Sequence, residues 1–501
     1  MDDVFDYVES NRARFVDELC ALLRQPSIST QDTGVRECAA LVRRFMADAG
    51  AEARLVDTGG YPVVFGEVRS AGATRTVLVY GHYDVQPPEP LEAWDSPPFE
   101  PTLREGRIYA RGAGDNKGQM FAHLKAIEAV LRVRGRLPVN VKLCYEGEEE
   151  IGSRHLPSFV EGHRALLEAD VVYASDGPMH PSGPLVFFGC RGVMTLELAA
   201  HGARRDLHSG NYGGIAPAPA RRLAQALASL WDGRGRVAVK GFYDRVRPPS
   251  PADRRVLRAT PVDFAALEKD LGVAPVTGPS ASAYYRRLLL EPNLNVAGLT
   301  SGYQGPGSKT IIPSVARAKL DVRLVMDQTP DEIEATLRAH LRRHGFGDLE
   351  LRRHGAMAPS RTPVDHPFGR AVVRAVTRAW GRPPVVLPNL GGSIPDWLFT
   401  QVLGLPSIWV PYAPHDEANH APNESTTLEG FVNGIRSTAS ALFELAAAQR
   451  AGASARGSSD ASAATSCWGS TGLPTCRSKP ARRARSRSSG PASAVSATAG
   501  R

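Results

Sequence analysis

Thr76-Val77-Leu78-Val79-Tyr80 runs straight into Gly81-His82-Tyr83-Asp84, and the reading of this stretch decides the fold. A short apolar run that ends in glycine and polar residues has the pattern of a strand buried on both faces. Here a histidine and a carboxylate stand just past its carboxyl end. The same grammar recurs along the chain. Val139–Tyr145 leads to Glu146-Gly147-Glu148-Glu149-Glu150, and Val171–Ala174 leads to Ser175-Asp176. The short stretch Arg107–Arg111 leads to Gly112-Ala113-Gly114-Asp115, and Ser407–Val410 leads towards His415 and His420. Helical stretches, Gln119–Arg132 and Leu156–Leu167 among them, separate several of these runs. Such alternation predicts an α/β fold with a mostly parallel sheet flanked by helices. In that architecture ligands gather in the crevice outside the strands' carboxyl ends, so five distant segments can converge.

Working outward, Val4, Val8, Phe15, Leu19, Leu22 and Leu23 line one face of an opening helix that Pro26 ends. The middle of the chain has a different texture. Alternating strands at Val193–Ala199 and Ala316–Val325 are mixed with helices at Ala218–Leu230 and Pro330–His344. This reads as an α+β domain inserted into the first domain. The expected organisation is a first domain in two parts, 1–192 and 364–450, interrupted by a second at 193–363. A tail over 451–501, rich in Ala, Ser, Gly and Arg, lacks the large apolar residues that would offset its ordering entropy and reads as disordered.

The net charge of +8 is a property of that tail, which carries eight Arg and Lys against Asp460 alone and leaves the body nearly neutral. With no aromatic interleaving, nucleic acid is not favoured as a partner. No apolar run reaches the length of a bilayer span. Met1 to Ser10 lacks the basic-then-apolar order of a signal peptide. Cys20, Cys38, Cys144, Cys190, Cys467 and Cys476 are scattered without paired short spacing, which argues against a disulfide framework or a cysteine zinc site. A cytoplasmic protein with reduced thiols is expected.

Each chemical fragment is weak alone. A lone His-x-Asp is usually surface, and a Glu run is usually a solvated face. Gly112-Ala113-Gly114 could suggest a dinucleotide loop, but the spacing to Gly118 is wrong and Asp115 would oppose a pyrophosphate. Together the fragments supply two histidines and three carboxylates, the donor set that two divalent ions need. Glu148, Glu149 and Glu150 are contiguous, so the residues alone leave their register open. His415 likewise competes with His420.

Four segments, Gly81-His82-Tyr83-Asp84-Val85-Gln86-Pro87, Gly114-Asp115-Asn116-Lys117-Gly118, Glu149-Glu150-Ile151-Gly152-Ser153 and His420-Ala421-Pro422-Asn423-Glu424, resemble the dinuclear metallopeptidase family of carnosinases, aminoacylases and desuccinylases. The likeness runs in order to about residue 448. It implies that Asp115 bridges two metal ions per subunit, that His82 and Asp176 complete one site, and that Glu150 and His420 complete the other. It further implies that Asp84 fixes the His82 tautomer and that Glu149 is the general base. Ile151-Gly152-Ser153 anchors this Glu register, and Ala421-Pro422-Asn423-Glu424 favours His420. Zinc is the default ion, and manganese or cobalt would also fit.

The inserted domain adds Asp206-Leu207-His208-Ser209-Gly210-Asn211-Tyr212-Gly213-Gly214, which resembles the carnosinase-type lid motif and implies that 193–363 is a lid on a catalytic domain. By that resemblance His208 reaches the partner subunit's active site to stabilise the oxyanion, so a homodimer through the lid is implied. Thr310, Arg323 and Ser393 match substrate-contact segments of the same subgroup, with His354 added on less support. Arg323 suits a bidentate grip on a carboxylate. The expected reaction is hydrolysis of a peptide or peptide-like amide, as by a dipeptidase acting on substrates with a free C-terminal carboxylate. An N-acyl-amino-acid deacylase or desuccinylase is the alternative within the class, with an acyl-amino acid as substrate. A non-catalytic amino-acid-binding protein on the same scaffold is the alternative outside it.

Overall fold

The computed structural model describes residues 1–448, and the tail expected at 451–501 lies outside the described residues. Eight strands form one sheet in the spatial order Glu52–Val56, Val63–Val68, Asn140–Glu146, Thr76–His82, Val171–Ala174, Ser407–Trp409, Leu185–Phe187 and Val385–Leu387. Four of its seven pairings are parallel, including the three that join its central strands. The α/β fold with a large, mostly parallel sheet flanked by helices is therefore the one observed.

Successive side chains of a strand point to opposite faces, and here both faces are apolar. Val77 and Val79 join a core with residues from the helices Asp2–Ser10, Arg12–Leu23, Val35–Asp48, Lys117–Arg134, Pro367–Trp380 and Leu428–Ala447. Leu78 and Tyr80 pack on the other side with Leu156, Phe159, Leu398 and Trp409. A strand covered twice has no room for polar residues until it ends, which is why the chemistry begins at His82.

A second sheet of four antiparallel strands runs in the order Asn293–Ser301, Val315–Leu324, Gly192–His201 and Glu350–Met357. It is covered on one face only. Ala316, Ala318, Leu320, Val322 and Leu324 alternate into a core with Leu223 and Leu227 of the helix Pro219–Ala228 and Ile333, Leu337 and Leu341 of the helix Pro330–Arg343.

Three expectations need correction. The opening helix is two helices, Asp2–Ser10 and Arg12–Leu23. Asn11 breaks it, its Nδ2 donating to Tyr7 O at 2.9 Å in competition with the helical ladder. The helix expected at Leu156–Leu167 stops at Gly162, a residue that favours helix little. Finally, the stretch before Asp115 is not part of the large sheet. Arg107–Tyr109 pairs with Thr102–Arg104 and Ser425–Thr427 in a separate three-stranded sheet. Among the described residues no helix is long and apolar enough to cross a membrane, and the four cysteines are free and buried.

Candidate metal centre

His82 closes its strand with a fully buried imidazole. Its Nε2 lies 3.1 Å from Asp115 Oδ1 and 3.7 Å from Asp176 Oδ2. His420 Nε2 lies 3.1 Å from Asp115 Oδ2 and 3.3 Å from Glu150 Oε2. Asp115 thus offers one oxygen to each imidazole. Two groups result, His82 with Asp115 and Asp176, and Asp115 with Glu150 and His420, and either could hold a metal ion. His415 belongs to neither group. Glu148 is engaged elsewhere, accepting from Tyr61 N at 3.2 Å and from His155 N at 3.0 Å.

Asp84 does more than orient a ring. His82 Nδ1 is 3.1 Å from the Asp84 carbonyl oxygen and 3.3 Å from its Oδ1. The Asp84 carboxylate also accepts from Glu149 N at 3.2 Å and Glu150 N at 3.1 Å, so one acid ties the first histidine to the glutamate turn. Such outer partners fix ligand geometry.

The electrostatics test whether cations fit. Burial, then Asp115, pushes the Asp176 carboxyl up to about 7. Burial raises Glu150, with Asp115 adding to it. Burial lifts Glu149 well above the usual carboxylate range, opposed by His82 and reinforced by Asp176, Glu150 and Asp115. Contacts with Asp115 and Glu150 raise the His420 imidazole to about 10. These shifts describe acids crowded in a low-dielectric crevice. Glu150 Oε1 is in addition buried without a hydrogen-bond partner. A surplus of buried negative charge with imidazole between is a donor set suited to divalent ions.

Three supporting residues were quoted within the motifs but given no role from sequence. Gln86 Nε2 donates to Glu150 Oε2 at 2.8 Å. Asn116 Oδ1 accepts from His82 N at 3.4 Å while its Nδ2 donates to Ser175 O at 2.7 Å. Glu424 accepts from the backbone of Gly112, Gly114 and Asp115 at 2.9–3.0 Å and pairs with Arg111 at 2.7 Å. Motif membership was the available signal. The loop that delivers His420 holds Ala418, His420 and Asn423 at φ of 57°, 58° and 62°, a strained arrangement that its surroundings must sustain.

The residues expected to meet substrate are less gathered. Arg323 Nη1 donates to Ser393 Oγ at 3.0 Å, which joins two of them. His208 and Thr310 are neighbours across a two-stranded ladder, Leu207–His208 against Ile311–Ile312, with Ser209 N donating to Thr310 O at 3.0 Å. Both are exposed. His354 is exposed at a bulge of the edge strand Glu350–Met357, and no hydrogen bond or ion pair among the described residues joins it to the others.

Comparison with known proteins agrees with this geometry. The profile of peptidase family M20/M25/M40 matches residues 78–444. The chain is 27% identical to the Cys-Gly metallodipeptidase dug1 of Schizosaccharomyces pombe, over 89% of this chain and 98% of that one. It is 28% identical to the Beta-Ala-His dipeptidase of Homo sapiens, over 89% and 93% respectively. Among solved structures, an M20 family metallo-carboxypeptidase from Sulfolobus solfataricus, Sso-CP2, superposes with a TM-score of 0.81 at 37% identity, covering 86% of this chain and 99% of its own.

Proposed function

The chain belongs to peptidase family M20/M25/M40, and from that premise we propose that it is a two-metal dipeptidase acting on small peptides with a free C-terminal carboxylate. One observation carries the reading: Asp115 turns its two oxygens to two different histidines, each with a further carboxylate beside it. The dipeptidase names of the relatives from Schizosaccharomyces pombe and Homo sapiens support the substrate class.

His82, Asp115 and Asp176 are assigned to one ion and Asp115, Glu150 and His420 to the other, with zinc the default and manganese or cobalt compatible. Bound there, such ions supply Lewis acidity that polarises a scissile carbonyl and acidifies water. Glu149 takes a proton from the attacking water and returns it to the departing amine. Its half-buried position suits that exchange, because desolvation brings a carboxyl towards neutral pH. Asp84 holds His82 and the Glu149 backbone in register. Arg323, hydrogen-bonded to Ser393, grips the substrate carboxylate.

His208 and Thr310 are assigned to the active site of a second subunit, His208 as an oxyanion donor, and His354 to substrate. A homodimer through the lid is supported by its edge strand Asn293–Ser301, which leaves Val296 and Leu299 exposed. An unpaired edge with apolar side chains favours a partner, and the partner proposed is a second copy. We place the enzyme in the cytoplasm on the scattered cysteines, of which the four among the described residues are free and buried. The inserted lid is taken as 193–363, between catalytic parts at 1–192 and 364–450.

The likeness to Sso-CP2 favours a second reading, removal of the last residue from longer peptides. Both need the same carboxylate grip, and a ladder of di-, tri- and tetrapeptides separates them. The test of the shared mechanism is Glu149→Gln. We expect kcat to fall about 10²–10⁴-fold with both metals retained. Full activity in that variant removes Glu149 as the base.

A further inference from the structure

Where the chain passes from the large sheet into the small one, Cys190 lies beside Leu390 in a parallel bridge. Arg191 turns its guanidinium onto the facing loop, with Nε and Nη2 both donating to Gly391 O at 2.9 and 2.8 Å. The residue is 6% exposed, and its Nη1 is buried with no hydrogen-bond partner. Among the described residues it has no ion pair. Asp321, the acid that acts on it, is already paired with Arg323 at 3.2 Å. Burial and then the Arg323 charge bring its pKa down to about 10, so it remains cationic at neutral pH.

Two guanidiniums therefore crowd the Gly391-Gly392-Ser393 loop. One rests on a neutral carbonyl and the other on the Ser393 hydroxyl. A buried cation without a counter-charge is costly, and a neighbouring cation makes it costlier. An anion delivered to Arg323 and Ser393 offsets both. Because Arg191 Nη1 is sealed from solvent, direct contact with a ligand is not its part.

We propose that Arg191 is a positioning residue for the substrate's terminal carboxylate. Held in place by Gly391 O, its guanidinium sets a second positive charge beside Arg323, and that charge makes a carboxylate preferred over a neutral amide. This rests on the peptidase reading above and on Arg323 as the carboxylate grip.

The test uses the full-length, metal-loaded protein, a dipeptide with a free carboxylate and the same dipeptide as its C-terminal amide. Wild-type protein is expected to prefer the acid. Arg191→Met should raise KM for the acid about tenfold and leave KM for the amide unchanged, so the preference collapses. Arg191→Lys keeps the charge but loses the two-pronged hold on Gly391 O, and should retain the preference. Arg191→Met impairing acid and amide alike assigns the residue to loop structure only and overturns the proposal. Loss of preference in Arg191→Lys overturns it too, including where the Met variant does not fold. A wild-type protein that cleaves acid and amide equally overturns the grip assigned to Arg323 as well. That failure is distinguishable because it precedes any substitution.

Discussion

The rim of candidate metal ligands and the exposed ladder that carries His208 are built by opposite rules. At the rim, His82 is fully buried, Asp115 and Asp176 nearly so, and every candidate ligand lies within 3.7 Å of another. At the ladder, His208 and Thr310 stand in solvent, and the His208 ring does no more than accept from Gly210 N at 3.0 Å. Cation binding needs several donors fixed to within fractions of an ångström, which demands packed elements behind each one. Recognition of a substrate's outer groups can wait for a lid or a partner to arrive. One region gathers its candidate donors within a single chain, and the other stands open to solvent.

The strongest way to break the comparison is Asp115→Ala. If the rim is one unit, losing the shared carboxylate dismantles both groups. Elemental analysis should find both ions depleted, and kcat/KM should fall on the order of 10³-fold or more, the several kcal/mol that metal catalysis supplies. Retention of both ions in that variant would falsify the bridging role.

The ladder makes a gentler claim. His208→Ala should lower kcat about 10²–10³-fold, as removal of an oxyanion donor does, with metal content intact. Mixing it with Glu149→Gln under conditions that exchange subunits sharpens the point. If His208 serves the neighbouring subunit, hybrid dimers recover one competent site, roughly a quarter of wild-type sites overall. Activity that stays at the level of the separate variants places His208 outside the partner's site.

How far this contrast was legible in the sequence follows from range. Thr76–His82 and Val171–Ala174 were readable because strands buried on both faces are uninterrupted apolar runs. His82 and Asp176 were readable because polarity resumes where those strands end. Asp115 was singled out for a partly wrong reason. It follows a strand of a small separate sheet whose partner, Ser425–Thr427, lies just past His420, so the two ligand loops are stitched together by a pairing across more than 300 residues. No local period reports such a pairing. Glu424 and Arg191 escaped for the same cause, since each acts on backbone far away in the chain. Asn11 escaped because its side chain, rather than any loss of apolar spacing, ends the first helix.

Glu424 probes the rim from behind. It touches no candidate ligand side chain, yet it accepts from Gly112 N, Gly114 N and Asp115 N. Glu424→Gln keeps the shape but weakens this hold and its ion pair with Arg111. Metal affinity should fall about 10–100-fold, the usual cost of losing an outer partner, as read from competition with a coloured chelator. Unchanged affinity means that the Gly112–Asp115 loop is held by packing alone.

The smallest effect lies beneath the rim, at His123. Its Nε2 is 2.8 Å from Ser175 Oγ, its ring sits among Tyr145, Tyr173 and Tyr412, and burial lowers its pKa to about 3. A histidine folded neutral and unfolded with a value near 6.5 contributes stability that is present above 6.5. As pH falls through that value the unfolded chain takes up a proton that the folded chain refuses, so stability declines until pH nears 3. Melting followed from pH 7 to 4 should show this loss as a difference, the wild type falling relative to His123→Gln, because raised acids such as Asp176 act with the opposite sign in both proteins. A slope in His123→Gln equal to that of the wild type takes the buried ring out of the pH dependence and leaves the core beneath the rim without a part in it.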